Sequence, residues 1–185
     1  MLLNKFMLLI IVFALTFSGQ AAQAQYDPEE VRDIVWSPDG SHFAVAAFES
    51  IRVYDFAGNL VETLDISYAG GLSWSPNNST LAFSYIDGGR IVGGDYRIGR
   101  WDYLVNDSVQ PLALVETGVD DIFWLPSGNQ LLFYESLVEY VDGFLQRITN
   151  PMVTIDASNG NLLNDFNPGS ATDMAFSPDG NYLAV

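Results

Sequence analysis

Cysteine is absent from all 185 residues, which excludes a disulfide framework, a thiolate metal site and a cysteine nucleophile. Histidine occurs once, at His42, so no His-Glu-x-x-His zinc pair can form. Gly-x-Ser-x-Gly, the strand-to-helix elbow that presents a nucleophilic serine, is also missing. Glycines cluster at Asp87-Gly88-Gly89 and Gly93-Gly94, but the pattern around them is that of strands. No helix follows to supply the dipole that makes a phosphate loop work. Lysine stands only at Lys5. These absences leave an expectation of a chain that is not an enzyme and carries no cofactor and no metal.

Charge of one sign dominates instead: 23 acidic residues against seven lysines and arginines give a formal net charge of −16. A surface of that sign repels nucleic acid and anionic head groups, while it favours cationic ligands and keeps the protein dispersed. Nucleic acid is therefore not expected as a partner.

Residues 1–24 read as a secretory signal: Lys5 as the positive start, an apolar run from Phe6 to Phe17, and Ala22-Gln23-Ala24 as a small-x-small cleavage site. An apolar run of about 12 residues is short of the ~20 needed to span a bilayer. The expected address of residues 25–185 is periplasmic or extracellular, with no membrane span.

One unit recurs through that remainder. Trp36-Ser37-Pro38-Asp39-Gly40 returns as Trp74-Ser75-Pro76-Asn77-Asn78, Trp124-Leu125-Pro126-Ser127-Gly128 and Phe176-Ser177-Pro178-Asp179-Gly180. An aromatic closes a short apolar strand, proline fixes φ at the first corner, and Asp-Gly or its substitutes supply the positive-φ position. A second strand follows each turn, then a third ending in Tyr54-Asp55, Trp101-Asp102 or Ile155-Asp156, then a fourth. The chain therefore reads as all-β, built of four-stranded antiparallel meanders: units at about 31–66, 67–115 and 116–168, and an incomplete fourth at 169–185.

The Ser-Pro-Asp-Gly turn and the third-strand Trp-Asp, recurring in step, resemble the WD40 repeats of β-propellers. The closer likeness is to the looser WD40-like propellers of exported bacterial proteins, including those resembling TolB. The Gly-His pair of WD40 repeats is missing from every unit, so that family's histidine-to-tryptophan hydrogen-bond network is not expected here. The resemblance implies a propeller of which this chain is an amino-terminal portion, because closure needs four to eight blades.

From each third-strand Asp to the next strand-one aromatic the spacing stays close to twenty residues, whereas the span from aromatic to Asp lengthens in units two and three. All of the excess lies between the second and third strands. There Asp87-Gly88 and Asp142-Gly143 sit between apolar runs, a hairpin signal that predicts long β-ribbons. Arg90, Arg97 and Arg100 fall in the first ribbon and Glu135, Glu139 and Asp142 in the second, so the two ribbons are expected to pair.

Carboxylates also show positional order. Three residues before each strand-one aromatic stand Asp33, Gly71, Asp121 and Asp173. In a meander the start of strand one and the link between strands two and three lie on one face of the disc, so Asp33, Asp121 and Asp173 are candidates for an acidic binding face. The competing reading is that each Asp caps backbone N–H groups beside it. No Asp-x-Asp-x-Asp-Gly spacing supports a calcium site. His42 aligns with Thr80, Gln130 and Tyr182 and reads as an ordinary half-exposed position at the start of the second strand.

Ile34, Trp36, Leu72, Trp74, Ile122, Trp124, Met174 and Phe176 are expected on inner strands packed between blades. The functional expectation is an exported, non-catalytic propeller that binds a protein, peptide or other ligand. The alternative is the substrate-gating propeller of a larger enzyme, such as a prolyl-oligopeptidase-like peptidase. The unpaired strands of an incomplete array predict self-association through an open blade edge.

Overall fold

The turn explains the fold locally. Ser37 donates its N–H to the His42 carbonyl (2.9 Å) and Gly40 donates to the Ser37 carbonyl (2.9 Å), with Gly40 at φ 70°. The Ser37 hydroxyl accepts the His42 N–H at 3.0 Å and donates to Asp39 at 2.7 Å. Ser75 and Asn77 reproduce these bonds in the second unit, where Asn78 takes the left-handed corner at φ 62°. In the third unit Leu125 replaces the serine. The backbone turn still closes, with Leu125 N–H on the Gln130 carbonyl at 2.9 Å, and Ser127 bonds Asn129 instead.

These turns join strands into sheets in a computed structural model that describes residues 30–88, 95–105, 108–115, 119–141, 144–166, 175–177 and 182–184. At 120, 135–141, 144–151, 175 and 176 it describes the backbone alone. The first sheet, called here blade one, holds β1 (Asp33–Trp36), β2 (His42–Ala46), β3 (Ser50–Asp55) and β4 (Leu60–Asp65). Blade two holds β5 (Gly70–Trp74), β6 (Thr80–Asp87), β7 (Asp95–Asp102) and β8 (Gln110–Val115). Blade three holds β9 (Val119–Trp124), β10 (Gln130–Val141), β11 (Phe144–Asp156) and β12 (Leu162–Phe166). A two-stranded sheet of β13 (Ala175–Phe176) and β14 (Leu183–Ala184) follows. The fold is all-β: three antiparallel four-stranded meanders, each paired in sequence order, with a further two-stranded sheet after them. The three meanders do not close on one another.

The long ribbons are present. β10 and β11 pair out to Val141↔Phe144, with one register shift between Tyr134 and Ser136. β6 and β7 pair out to Asp87↔Asp95, so that connection spans residues 88–94 rather than turning on Asp87-Gly88 alone.

Alternation of side chains divides each blade into a face toward the blade before and a face toward the blade after. Ala44, Ala46, Ile51 and Val53 of blade one bury against Trp74, Leu81, Phe83 and Trp101 of blade two. Ala82 and Ile98, on the other face of blade two, bury against Ile122, Leu131, Phe133 and Ile155 of blade three. Leu132, Tyr134 and Met152 then meet Leu183 of the fourth unit. The core is thus a series of layers between blades, and β1, β5 and β9 adjoin along the inside.

This arrangement corrects the inner-strand expectation at one position. Leu72, Trp74 and Ile122 are buried and Trp124 is half-buried, but Trp36 is 51 % exposed. The strand-one aromatic points at the preceding blade, and among the described residues nothing lies on that side of blade one. Met174, and the side chain of Phe176, lie outside the described residues. The indole N–H of Trp101 is buried without a partner among the described residues.

Candidate functional site

Asp33 opens β1, and Asp121 is the third residue of β9. Their carboxylates are engaged within the fold. Asp33 accepts the Ile34 N–H at 2.8 Å and, across the blade boundary, the Leu72 N–H at 2.7 Å. Gly71, which holds the Asp position in blade two, adopts φ 55°, and the β5–β6 register shifts between Gly70 and Ser73. That local bulge turns the Leu72 amide out of its own ladder toward Asp33. Asp121 accepts the Tyr134 hydroxyl at 2.9 Å. Asp173 lies outside the described residues. No group of three or more His, Asp or Glu side chains able to hold a metal occurs among the described residues.

Ribbon charges are likewise satisfied close to home. Arg97 Nε sits 2.9 Å from Asp87 and its Nη2 lies 3.4 Å from Asp95, so it pairs with its own ribbon. Its Nε lacks hydrogen-bond alignment, which makes the Asp87 contact one of charge alone. Arg100 donates to Gln110 at 2.8 Å and to the Ala157 carbonyl of blade three at 3.1 Å. Arg90, Asp142 and the side chains of Glu135 and Glu139 lie outside the described residues. His42 opens β2, its Nδ1 2.7 Å from the Ser41 hydroxyl and its ring beside Tyr103.

On the face where the inner strands begin, a cleft of about 480 Å³ opens between blades one and two and reaches Val119 of blade three. Its walls are Arg32, Phe48, Tyr68, Tyr85 and Tyr96, with Glu30 at the mouth and Ser84 at the base. The aromatic walls come from three separate parts of the chain, and Arg32 from the residue before β1. Phe48 lies in the β2–β3 link, Tyr68 in the β4–β5 link, and Tyr85 and Tyr96 at the base of the blade-two ribbon.

The β4–β5 link is pinned on both sides. Ile66 and Tyr68 donate their N–H groups to the carbonyls of Glu49 (3.0 Å) and Phe48 (2.8 Å), while the Ser67 carbonyl accepts from Ile86 at 3.2 Å. Tyr68 is thereby held at φ 59°, a left-handed conformation uncommon for a bulky residue. Its ring meets Phe48 edge-on at 4.1 Å and lies 5.9 Å below the Arg32 guanidinium. No carboxylate lies within ion-pair distance of Arg32 among the described residues.

Burial pushes the Tyr85 phenol above its usual value; the Asp87 charge adds to the rise and Arg97 opposes it. Tyr85 is therefore a neutral hydroxyl at physiological pH. The cleft offers aromatic faces, hydroxyls, one cation and one anion. The carboxylates named from the sequence, Asp33 and Asp121, do not line this cleft. The missed signal was the aromatic residues at the strand ends on that same face.

Compared with family models and with curated proteins, the chain matches none.

Proposed function

We propose that this chain is an exported, non-catalytic, WD40-like propeller scaffold that binds an extended peptide or protein segment in the cleft between its first two blades. The observation that carries the reading is the cleft itself: about 480 Å³, within the ordinary range of ligand sites, walled by Phe48, Tyr68, Tyr85 and Tyr96. Aromatic walls supply contact area at small entropic cost, and scattered hydroxyls fix orientation. Export is supported by the signal pattern of residues 1–24.

The test is a peptide-library selection on the purified protein, followed by titration of the selected peptides. Phe48→Ser and Tyr96→Ser should weaken binding at least tenfold in protein that thermal melts show to be still folded. Peptides that bind both variants as tightly as the unaltered protein would refute the cleft as the site. Cleavage of the bound peptides would refute the non-catalytic reading.

A further inference from the structure

The cleft between blades one and two is unevenly supplied with polar groups. Arg32 donates its backbone N–H to the Ala46 carbonyl at 2.9 Å, which extends the β1–β2 ladder by one residue and fixes where its side chain begins. That side chain is exposed, and its guanidinium lies 5.9 Å from the centre of the Tyr68 ring. Other described arginines are occupied: Arg97 by Asp87 and Asp95, and Arg100 by Gln110 and the Ala157 carbonyl. Arg52 has a partner as well. Among the described arginine side chains Arg32 alone has neither an ion pair nor a hydrogen bond, in a chain with 23 acidic residues.

Hydrogen-bond donors are in surplus along the same walls. The hydroxyls of Tyr68, Tyr85 and Tyr96 have no partner among the described residues, and burial keeps the Tyr85 proton in place. The carbonyls of Gly70 and Val119 are already taken by the Ser84 hydroxyl, at 3.0 and 3.4 Å. Glu30, at the mouth, is the one carboxylate among the lining residues. Tyr68 is held at φ 59° by its N–H bond to the Phe48 carbonyl, a conformation that costs the fold free energy and fixes the ring beneath the guanidinium. A guanidinium over a fixed ring has less freedom to lose on pairing, and its planar fork suits the two oxygens of a carboxylate.

We infer that Arg32 pairs with a carboxylate of the bound peptide or protein segment, while a neighbouring aromatic or apolar side chain of that segment lies among Phe48, Tyr68, Tyr85 and Tyr96. The inference rests on the cleft being the binding site and adds what the cleft selects. A cationic ligand is the competing reading, because a net charge of −16 attracts cations at long range. Within the cleft Arg32 opposes it. An acidic side chain and the C-terminal end of a chain present the same group.

Fluorescence titration of the full chain against an array of labelled short peptides tests this. Each peptide carries a central phenylalanine, with aspartate, asparagine or lysine at the flanking positions, and ends in either a free carboxylate or an amide. An aspartate or free-acid peptide should bind roughly tenfold more tightly than its asparagine or amide counterpart, the usual worth of a charge-assisted hydrogen bond. Which replacement is felt tells an acidic side chain from a chain end. Arg32→Gln should erase the difference. Arg32→Glu should reverse it in favour of lysine at the same position, a gain that a misfolded variant does not produce. Glu30→Gln, which removes the opposing charge at the mouth, should tighten the acidic peptides about two- to fivefold. Binding that needs Phe48 but ignores both Arg32 and the peptide's carboxylate would overturn the inference and leave the cleft as the site. A preference of the unaltered protein for lysine peptides would overturn it in favour of a cationic ligand. Binding that Phe48→Ser, Tyr96→Ser and Arg32→Gln all leave intact would bring down the cleft and the inference together, as would an array in which nothing binds.

Discussion

Trp74→Ala and Trp36→Ala change the same residue of the same motif and should differ in cost by about 2–3 kcal/mol. Trp74 is 6 % exposed, meets Tyr103 edge-on at 5.2 Å, and donates its indole N–H to the Val35 carbonyl at 3.2 Å. Removing a fully packed tryptophan costs roughly 3–5 kcal/mol through lost transfer energy and the cavity left behind. Trp36 is half exposed and leans only on Phe43 and Phe56 of its own blade, so with half the buried area and no cavity its loss should cost about 1–2 kcal/mol. Urea melts followed by far-ultraviolet circular dichroism, run at protein concentrations dilute enough to keep association out of the balance, would read the difference from the midpoints. Equal costs, or a Trp74 cost below about 1 kcal/mol, would refute the assignment of the strand-one aromatic to the face toward the preceding blade.

Two glycines of the third-to-fourth-strand turns give a second comparison. Gly58 (φ 84°) has nothing within 4 Å of where a Cβ would stand, whereas a Cβ on Gly160 (φ 75°) would overlap the backbone carbonyl of Leu112 in blade two. Gly58→Ala should cost only the left-handed strain of about 1 kcal/mol, and Gly160→Ala clearly more; thermal melts of the two variants check the order. Acid should loosen the turns in a predictable window. The ionised Asp39 carboxylate accepts the Ser41 N–H and the Ser37 and Ser41 hydroxyls, which holds its pKa at about 2 against an ordinary 3.8. Asp55, through Asn59, and Asp156, through Ser158, are lowered in the same way. A pKa depressed in the folded state stabilises fully above the unfolded value and is lost as pH falls through the folded one. Stability should therefore decline between about pH 4 and pH 2. Asp39→Asn, which copies the acceptor that Asn77 provides in the next turn, should flatten that decline in melts over a pH series.

The sequence by itself determined the repeating unit, the strands and the ribbons, because these rest on short-range physics. Pro38 and Gly40 set backbone angles within their own turn, and the serine and Asp or Asn bonds span at most five residues. Period-two alternation shows that a strand such as β6 is apolar on both faces, with Leu81 and Phe83 on one and Ala82 on the other. What alternation does not carry is which face a neighbour covers. Trp36 and Trp74 are indistinguishable as local sequence, yet one is buried and the other bare, because burial depends on where a different blade lies. The carboxylates followed the same rule. Asp33 was legible as an acidic residue at the start of a strand, but its partner, the Leu72 amide, is supplied by the next blade once Gly71 bends the chain. The cleft was least legible of all. Phe48, Tyr68, Tyr85 and Tyr96 come from links and ribbon ends of two blades, and only the packing of one blade on the next brings separated aromatics around one volume.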